Sequence, residues 1–500
     1  VLNVRRNTAW TMDRLNDREM NIIWMPGTVS FNHIRKQQFS RLITPRRALR
    51  GKADCGNGSR DNLVGRQGVA MRWATTEAPA GQVGRKLATV IGMPEDLQQL
   101  RNQLVDGLRE SGHVTSERVA SAFRTVPRHS FVPGVEPERA YRDEALVIKS
   151  DANGVPISSS SQPAIMARML EQLDVRPGHR VLEVGTGSGY NAALLAHLVG
   201  ETGAVVSVDI DVDLVEDACA RLTECGLSTV TVGCGDGSLG WAECAPYDRV
   251  IATVGASDIF PAWVAQLASD GRLVVPLDLR GPQRSIAWQR VGDHLESVSV
   301  VRCGFMRLRG ALAGPEPIRQ ISLEPPVFIG MAEPHDMDGD ALSAALAQPG
   351  AEIPSGVRAS IDEVLDGLSL WLALREPAMA WVSTMGAAAD RALNLGMYYA
   401  VRKPVSLGAA ALIGTDSLAA LVRLNDQHPV ELGALPLGPD GHRLAQRLVD
   451  HINDWNSCAR PGTAGLRVSA YPYGTDPAAI AESRNTIDKR YNRLVLTWAA

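Results

Sequence analysis

The chain has 500 residues, 45% hydrophobic and 21% charged, with a formal net charge of -4. This composition is ordinary for a soluble globular protein of roughly two to four domains, and the charge names no partner. Seven cysteines without a CxxC pair argue against a disulfide scaffold or zinc ribbon, and ten scattered histidines without HExxH imply no metal.

Residues 1–92 carry 16 Lys and Arg against 6 Asp and Glu, leaving 35 against 49 in the rest. This basic stretch has no sustained periodicity and no h-region, so it is read as a disordered or misassigned extension rather than a signal peptide. A first residue of Val suggests a non-AUG start translated literally, with Met71 and Met93 as alternative starts. A basic arm for nucleic acid or an acidic surface is the other reading. No run reaches the roughly 18 uncharged apolar residues of a membrane span. A cytoplasmic protein with reduced thiols, binding neither nucleic acid nor membrane, is expected.

Between residues 94 and 128, Leu97, Leu100, Leu104 and Leu108 recur at helical spacing. The turn-rich "SDANGVPISSSSQP" follows, and "AIMARMLEQL" resumes a helical stripe. From Arg180, apolar runs ("RVLEVG", "AVVSVDI", "TVTVGCG", "YDRVIATVG", "RLVVPL") alternate with helical patterns near 191–199, 211–225 and 261–268. That alternation predicts a parallel, doubly wound sheet covered on both faces. "SIAWQRV" and "DHLESVSVVRCGFM" have no helix between them and predict an antiparallel pair at one edge. The expected organisation is an N-terminal extension (1–92), an α/β domain with a helical start (93–312), a Gly/Pro-rich linker (313–330) and a smaller α+β unit (331–500) ending in the strand "IDKRYNRLVLTW".

The chemistry concentrates in "VLEVGTGSGY". A strand running through Gly185, Gly187 and Gly189 into a helix brings backbone N–H groups and a helix N-terminus close to a ligand. The next strand ends in Asp209, twenty residues after Gly189, where a carboxylate can accept both ribose hydroxyls of a nucleoside. A dinucleotide and S-adenosylmethionine both contain such a nucleoside. A pyrophosphate wants Gly-x-Gly-x-x-Gly, and Glu183 ahead of the loop would repel it while suiting the cationic methionine end of S-adenosylmethionine. Asp236, at the end of the third strand, could accept from an adenine amino group. The methyl donor is therefore the expected cofactor. The competing reading makes the glycines turn residues and Asp209 and Asp236 helix caps.

With these motifs in place, the sequence resembles the protein-L-isoaspartate (D-aspartate) O-methyltransferases. The resemblance runs in order through "VPRHSFVP", "AYRDEALVI", "ISSSSQPAIMARMLEQL", "RVLEVGTGSGYNAALLAHLVG", "GDGSLGWAECAPYDRVIAT", "FPAWVAQLASDGRLVVPL" and "CGFMRLRGALA", over about residues 95–312. It implies a class I S-adenosylmethionine-dependent methyltransferase fold, Rossmann-like with seven strands. It also implies a cofactor site of Glu183, Gly185, Thr186, Gly187, Ser188, Gly189, Tyr190, Asp209, Ile210, Gly235, Asp236 and Gly237. Ser161, or its neighbour Ser160, falls where the family has a serine beside the methyl-accepting carboxylate. The long Lys149–Ser161 approach and about 180 further residues make the chain look closer to the lanthipeptide-associated FxLD-system methyltransferases. The implied partner is a peptide or protein bearing an aspartyl or isoaspartyl residue. No oligomeric state can be read.

Three further features have plainer readings. "DMDGD", Asp336–Asp340, lacks the spacing and terminal Glu of a calcium loop and reads as an exposed turn. Trp371 and Trp381 read as core residues, and Ser161 could also cap the helix that begins at Pro163.

Overall fold

The computed structural model describes residues 95–500 except 153–155, 228, 315–317, 324–325, 332, 334, 386–397, 401–405, 426, 481–482 and 499–500. The basic segment 1–92 lies outside the described residues.

Two helices open the described chain, α1 (Glu95–Glu110) and α2 (Glu117–Thr125). The leucine stripe of α1 turns Leu104 and Leu108 inward, and Ser116 caps α2 by accepting from the Val119 N–H. A hairpin of β1 (Leu146–Ser150) and β2 (Pro156–Ser160) precedes α3 (Pro163–Leu173). Pro163 fits the first turn of α3 because the missing N–H would have no helical partner there.

The central sheet contains β3 (Arg180–Val184), β4 (Ala204–Asp209), β5 (Thr231–Cys234), β6 (Tyr247–Ala252), β7 (Leu267–Asp278), β8 (Gln283–Val291) and β9 (His294–Cys303). Their spatial order is β5-β4-β3-β6-β7-β8-β9. The first five pair in parallel, and β7-β8-β9 is antiparallel. Helices α4 (Tyr190–Val199), α5 (Val212–Glu224) and α6 (Pro261–Gln266) provide the crossovers. Val181, Leu182 and Val184 are buried, as expected for a strand covered on both faces. The chain order reverses beside β3, with β4 on one flank and β6 on the other. Ligands bind at such a switch point, beyond the carboxyl ends of the strands.

The downstream chain departs from the expected division. β10 (Ile318–Leu323) and β11 (Pro326–Met331) lie largely within the expected linker yet pair as a hairpin in a second sheet. That antiparallel sheet continues through β12 (Ile353–Ala359), β13 (Met379–Met385), β14 (Tyr398–Ala400), β15 (Ser406–Ile413), β16 (Leu418–Arg423) and β17 (Val430–Leu437). Helix α7 (Gly441–Ser457) lays Leu444, Leu448, Ile452 and Trp455 on the same core. The chain then returns: β18 (Leu466–Pro472) pairs with β9, β20 (Asn492–Trp498) with β18, and β19 (Thr486–Asp488) with β20. The expected single final strand is therefore two strands. These three cover the edge that β9 would otherwise present, a covering that natural sheets commonly need.

Candidate functional site

A cavity of about 560 Å³ opens at the carboxyl ends of β3, β4 and β6. The glycine loop forms its floor because all three glycines of the Gly-x-Gly-x-Gly run have positive φ: Gly185 at 103°, Gly187 at 51° and Gly189 at 86°. At Gly185 a Cβ would lie 2.7 Å from Thr253 Oγ1 and 2.9 Å from Val254 Cγ1, so the strand end can pass β6 only without a side chain. Thr253 locks that approach by donating to the Gly185 carbonyl at 2.6 Å.

Asp209 borders the cavity from the end of β4. Its Oδ2 accepts from the Gly187 N–H at 2.9 Å and its Oδ1 from the Asp211 N–H at 3.2 Å. A carboxylate offers about four acceptor positions, so each oxygen keeps capacity for a ribose hydroxyl. Burial raises the Asp209 pKa, and the two backbone N–H groups oppose that rise.

Of the residues expected at the cofactor, Gly185, Thr186, Gly187, Ser188, Tyr190, Asp209, Ile210 and Gly237 border the cavity, as do Ser160 and Ser161. Glu183, Gly189, Gly235 and Asp236 do not border it in this structure, and Glu183, Gly189 and Asp236 have other contacts. Glu183 is fully buried behind the loop, accepting from Asn191 Nδ2 at 2.7 Å and Ser207 Oγ at 2.5 Å. Ser207 in turn meets Thr186 Oγ1 at 2.7 Å. Glu183 thus holds the loop through its neighbours and does not itself border the cavity. Desolvation pushes its carboxyl up to about 7. Asp236 spends Oδ1 on the Ser238 N–H and hydroxyl and Oδ2 on the Ala311 N–H. Its cap tethers the turn after β5 to the segment that follows β9. Gly189 packs instead on Ala218, its hypothetical Cβ 3.2 Å from that methyl.

The facing wall comes from β2 and the start of α3. Ser161 is half-buried, and Ser160 is buried with a hydroxyl that finds no partner among the described residues. Sequence reading assigned no role to Arg128, which sets their backbone. Its buried guanidinium donates to the carbonyls of Ala140, Arg142, Glu144 and Ser161 at 2.8–3.0 Å. Burial lowers its pKa to about 10, which leaves it charged at neutral pH. The one sequence signal was a cation in the proline-bounded "VPRHSFVP". Thr463, far outside the motif region, also borders the cavity and was not anticipated.

Elsewhere, Asp338 caps a short helix by accepting from the Asp340 and Ala341 N–H groups. Trp371 and Trp381 pack into the second core. Among the described residues no group of three or more His, Cys, Asp or Glu could hold a metal ion, and no helix is long and apolar enough to cross a membrane.

A switch-point cavity floored by a positive-φ glycine loop and flanked by a strand-end carboxylate defines a class I S-adenosylmethionine-dependent methyltransferase. The family model for protein-L-isoaspartate(D-aspartate) O-methyltransferase matches residues 98–311. The chain is 39% identical over 230 residues to a Methanopyrus kandleri protein-L-isoaspartate O-methyltransferase, covering 45% of this chain and 99% of that protein. It is 41% identical over 218 residues to the Staphylothermus marinus enzyme of the same name, covering 42% and 94%. A Plasmodium falciparum beta-aspartate methyltransferase structure in complex with S-adenosyl-L-homocysteine is 19% identical, covering 42% of this chain and 98% of that one, with a TM-score of 0.37. The chain belongs to the protein-L-isoaspartate O-methyltransferase family and is an S-adenosylmethionine-dependent enzyme.

Proposed function

We propose that this enzyme methyl-esterifies an aspartyl or isoaspartyl carboxylate of a peptide, with Ser161 holding the acceptor oxygen. The observation that carries the reading is one cavity bordered both by the glycine loop with Asp209 and by the Ser160–Ser161 wall. When bound, S-adenosylmethionine supplies an electrophilic methyl on a sulfonium. A carboxylate with an ordinary pKa near 4 is already ionised at neutral pH and needs no general base. The protein's work is placement and exclusion of water, which can supply much of the acceleration. Asp209 would hold the ribose, the glycine loop would hold the methionine end, and the Ser161 hydroxyl would donate to the acceptor. Arg128 keeps Ser161 in register through its carbonyl.

The finer reading is a ribosomally made, lanthipeptide-type precursor as substrate, recognised in part by the residues after 312. It is supported by the long continuation beyond the family match and by Thr463, which brings that continuation to the cavity. Repair of isoaspartate in aged proteins is the second reading, supported by the names of the relatives matched over almost their full length. In either case the ester is lost when the next backbone nitrogen attacks it, expelling methanol and leaving a succinimide that hydrolyses to aspartyl and isoaspartyl forms.

The test is mass spectrometry of two peptides differing only in aspartate against isoaspartate, incubated with enzyme and S-adenosylmethionine. Methyl gain on isoaspartate alone supports repair, and gain on aspartate supports biosynthesis. Methylation of neither, nor of a cyclised precursor peptide, would reject carboxyl methylation.

A further inference from the structure

The charged side chains around the cavity are not equivalent. Arg309 pairs with Asp211 at 2.6 Å, Arg307 with Asp278 at 2.9 Å and Arg302 with Asp362 at 2.9 Å. Asp209 is met by two backbone N–H groups. Arg168 also borders the cavity, but among the described residues it has no carboxylate partner; its guanidinium donates from Nη1 to the Gly112 carbonyl at 3.2 Å. A guanidinium has five N–H donors, so most of this fork is unspent. The nearby carboxylate, Asp143, accepts from the Ala164 N–H and from Gln162 Nε2, both at 2.8 Å. His113 stands on the same wall, and burial lowers its pKa, so it adds little charge at neutral pH.

The position of Arg168 relative to Ser161 is bounded by the geometry of α3 and of the two residues that precede it. Ala164, Ile165 and Arg168 face the cavity at three- and four-residue spacing on α3. Pro163 to Arg168 spans five helical rises, about 7.5 Å, and the two non-helical residues before Pro163 add at most about 7 Å, so Ser161 lies within about 14 Å along the chain path. Helix side chains lean toward the N-terminus, which shortens that gap. An extended peptide advances about 3.3 Å per residue, so the span corresponds to no more than about four substrate residues.

We propose that Arg168 is a specificity-determining residue that binds a second carboxylate of the peptide, within about four residues of the carboxylate that takes the methyl. This rests on the peptide-methylating reading above. The second carboxylate is either an acidic side chain or the free C-terminus of the peptide, since both present the same planar acceptor to the fork.

The test measures binding to the full-length enzyme saturated with S-adenosyl-L-homocysteine. One arm uses amidated peptides with a single Glu or Gln at each position within about four residues of the acceptor; the other uses Gln peptides with free or amidated C-termini. The expected result is that wild type prefers the extra carboxylate in at least one arm by about tenfold or more, and that Arg168→Gln abolishes the preference. The arm that shows it identifies the source. No preference in wild type in either arm, or the same preference in R168Q, overturns the proposal. Loss of S-adenosylmethionine affinity in R168Q also overturns it, because Arg168 would then serve the cofactor. Methyl transfer is scored on the same peptides, so a carboxylate preference without methylation would reject the reaction while leaving the Arg168 assignment intact.

Discussion

Asp209→Asn isolates the carboxylate at the end of β4 with little change of shape. In the wild type both oxygens face donors, the Gly187 N–H at 2.9 Å and the Asp211 N–H at 3.2 Å. An asparagine keeps one oxygen and replaces the other with an NH2, so whichever way the amide turns, one N–H faces another N–H. Leaving such a buried donor unsatisfied costs about 1–3 kcal/mol of stability. A ribose hydroxyl also loses a charged acceptor, with hydrogen bonds to charged groups contributing about 1.5–3 kcal/mol. At 1.4 kcal/mol per decade this corresponds to S-adenosylmethionine binding weakened by roughly tenfold to a hundredfold. Calorimetric titration of wild type and D209N with S-adenosylmethionine reads this directly, and urea unfolding of the cofactor-free proteins separates the stability term. A dissociation constant within twofold of wild type would refute the assignment of Asp209 to the ribose.

Gly185→Ala should lower stability by about 1–3 kcal/mol, because φ of 103° strains any L side chain and Thr253 stands in the way; an unchanged melting temperature would contradict the close passage of β3 and β6. Arg128→Met leaves four carbonyls without their donor, so unfolding should become easier by at least about 3 kcal/mol, read from denaturant midpoints. Glu183 has a folded pKa of about 7, above its ordinary 4.5. Its stabilising contribution is therefore complete below pH 4.5 and lost as pH rises through 7, by up to roughly 3 kcal/mol. The stability difference between wild type and Glu183→Gln should shift in favour of the glutamine protein from pH 4.5 to 8, and a pH-independent difference would show that the carboxyl is not raised. Because β18–β20 join the first sheet, deleting residues 325–500 would uncover β9 and should give an insoluble or destabilised protein. Soluble expression with intact cofactor binding would contradict that role.

The alternating pattern from Arg180 to Leu277 was sufficient to place the parallel strands and their crossover helices, and the Gly185–Gly189 run marked the ligand turn. Both signals are local: a strand buried on both faces must be apolar throughout, and a chain needing positive φ selects glycine. The carboxylates were harder. Glu183, Asp209 and Asp236 all stand at or beside strand ends, and a one-residue difference along a strand reverses the face a side chain occupies. Val184 lies between Glu183 and the loop, and Glu183 is held behind that loop by Ser207 and Asn191. Asp236 turns into its own cap, where Ala311 completes it.

The sequence by itself determined the fold class and the cofactor chemistry, because each rests on a repeat or motif within a short stretch of chain. Only the tertiary structure decided that Arg128 holds the backbone at Ser161, that Arg168 has no carboxylate partner among the described residues, and that the last three strands complete the first sheet. Those outcomes depend on which backbone groups remain unpaired after distant segments meet. Carbonyls such as that of Ser161 and the open edge of β9 are the same in every residue type, so nothing local in the sequence announces their partners.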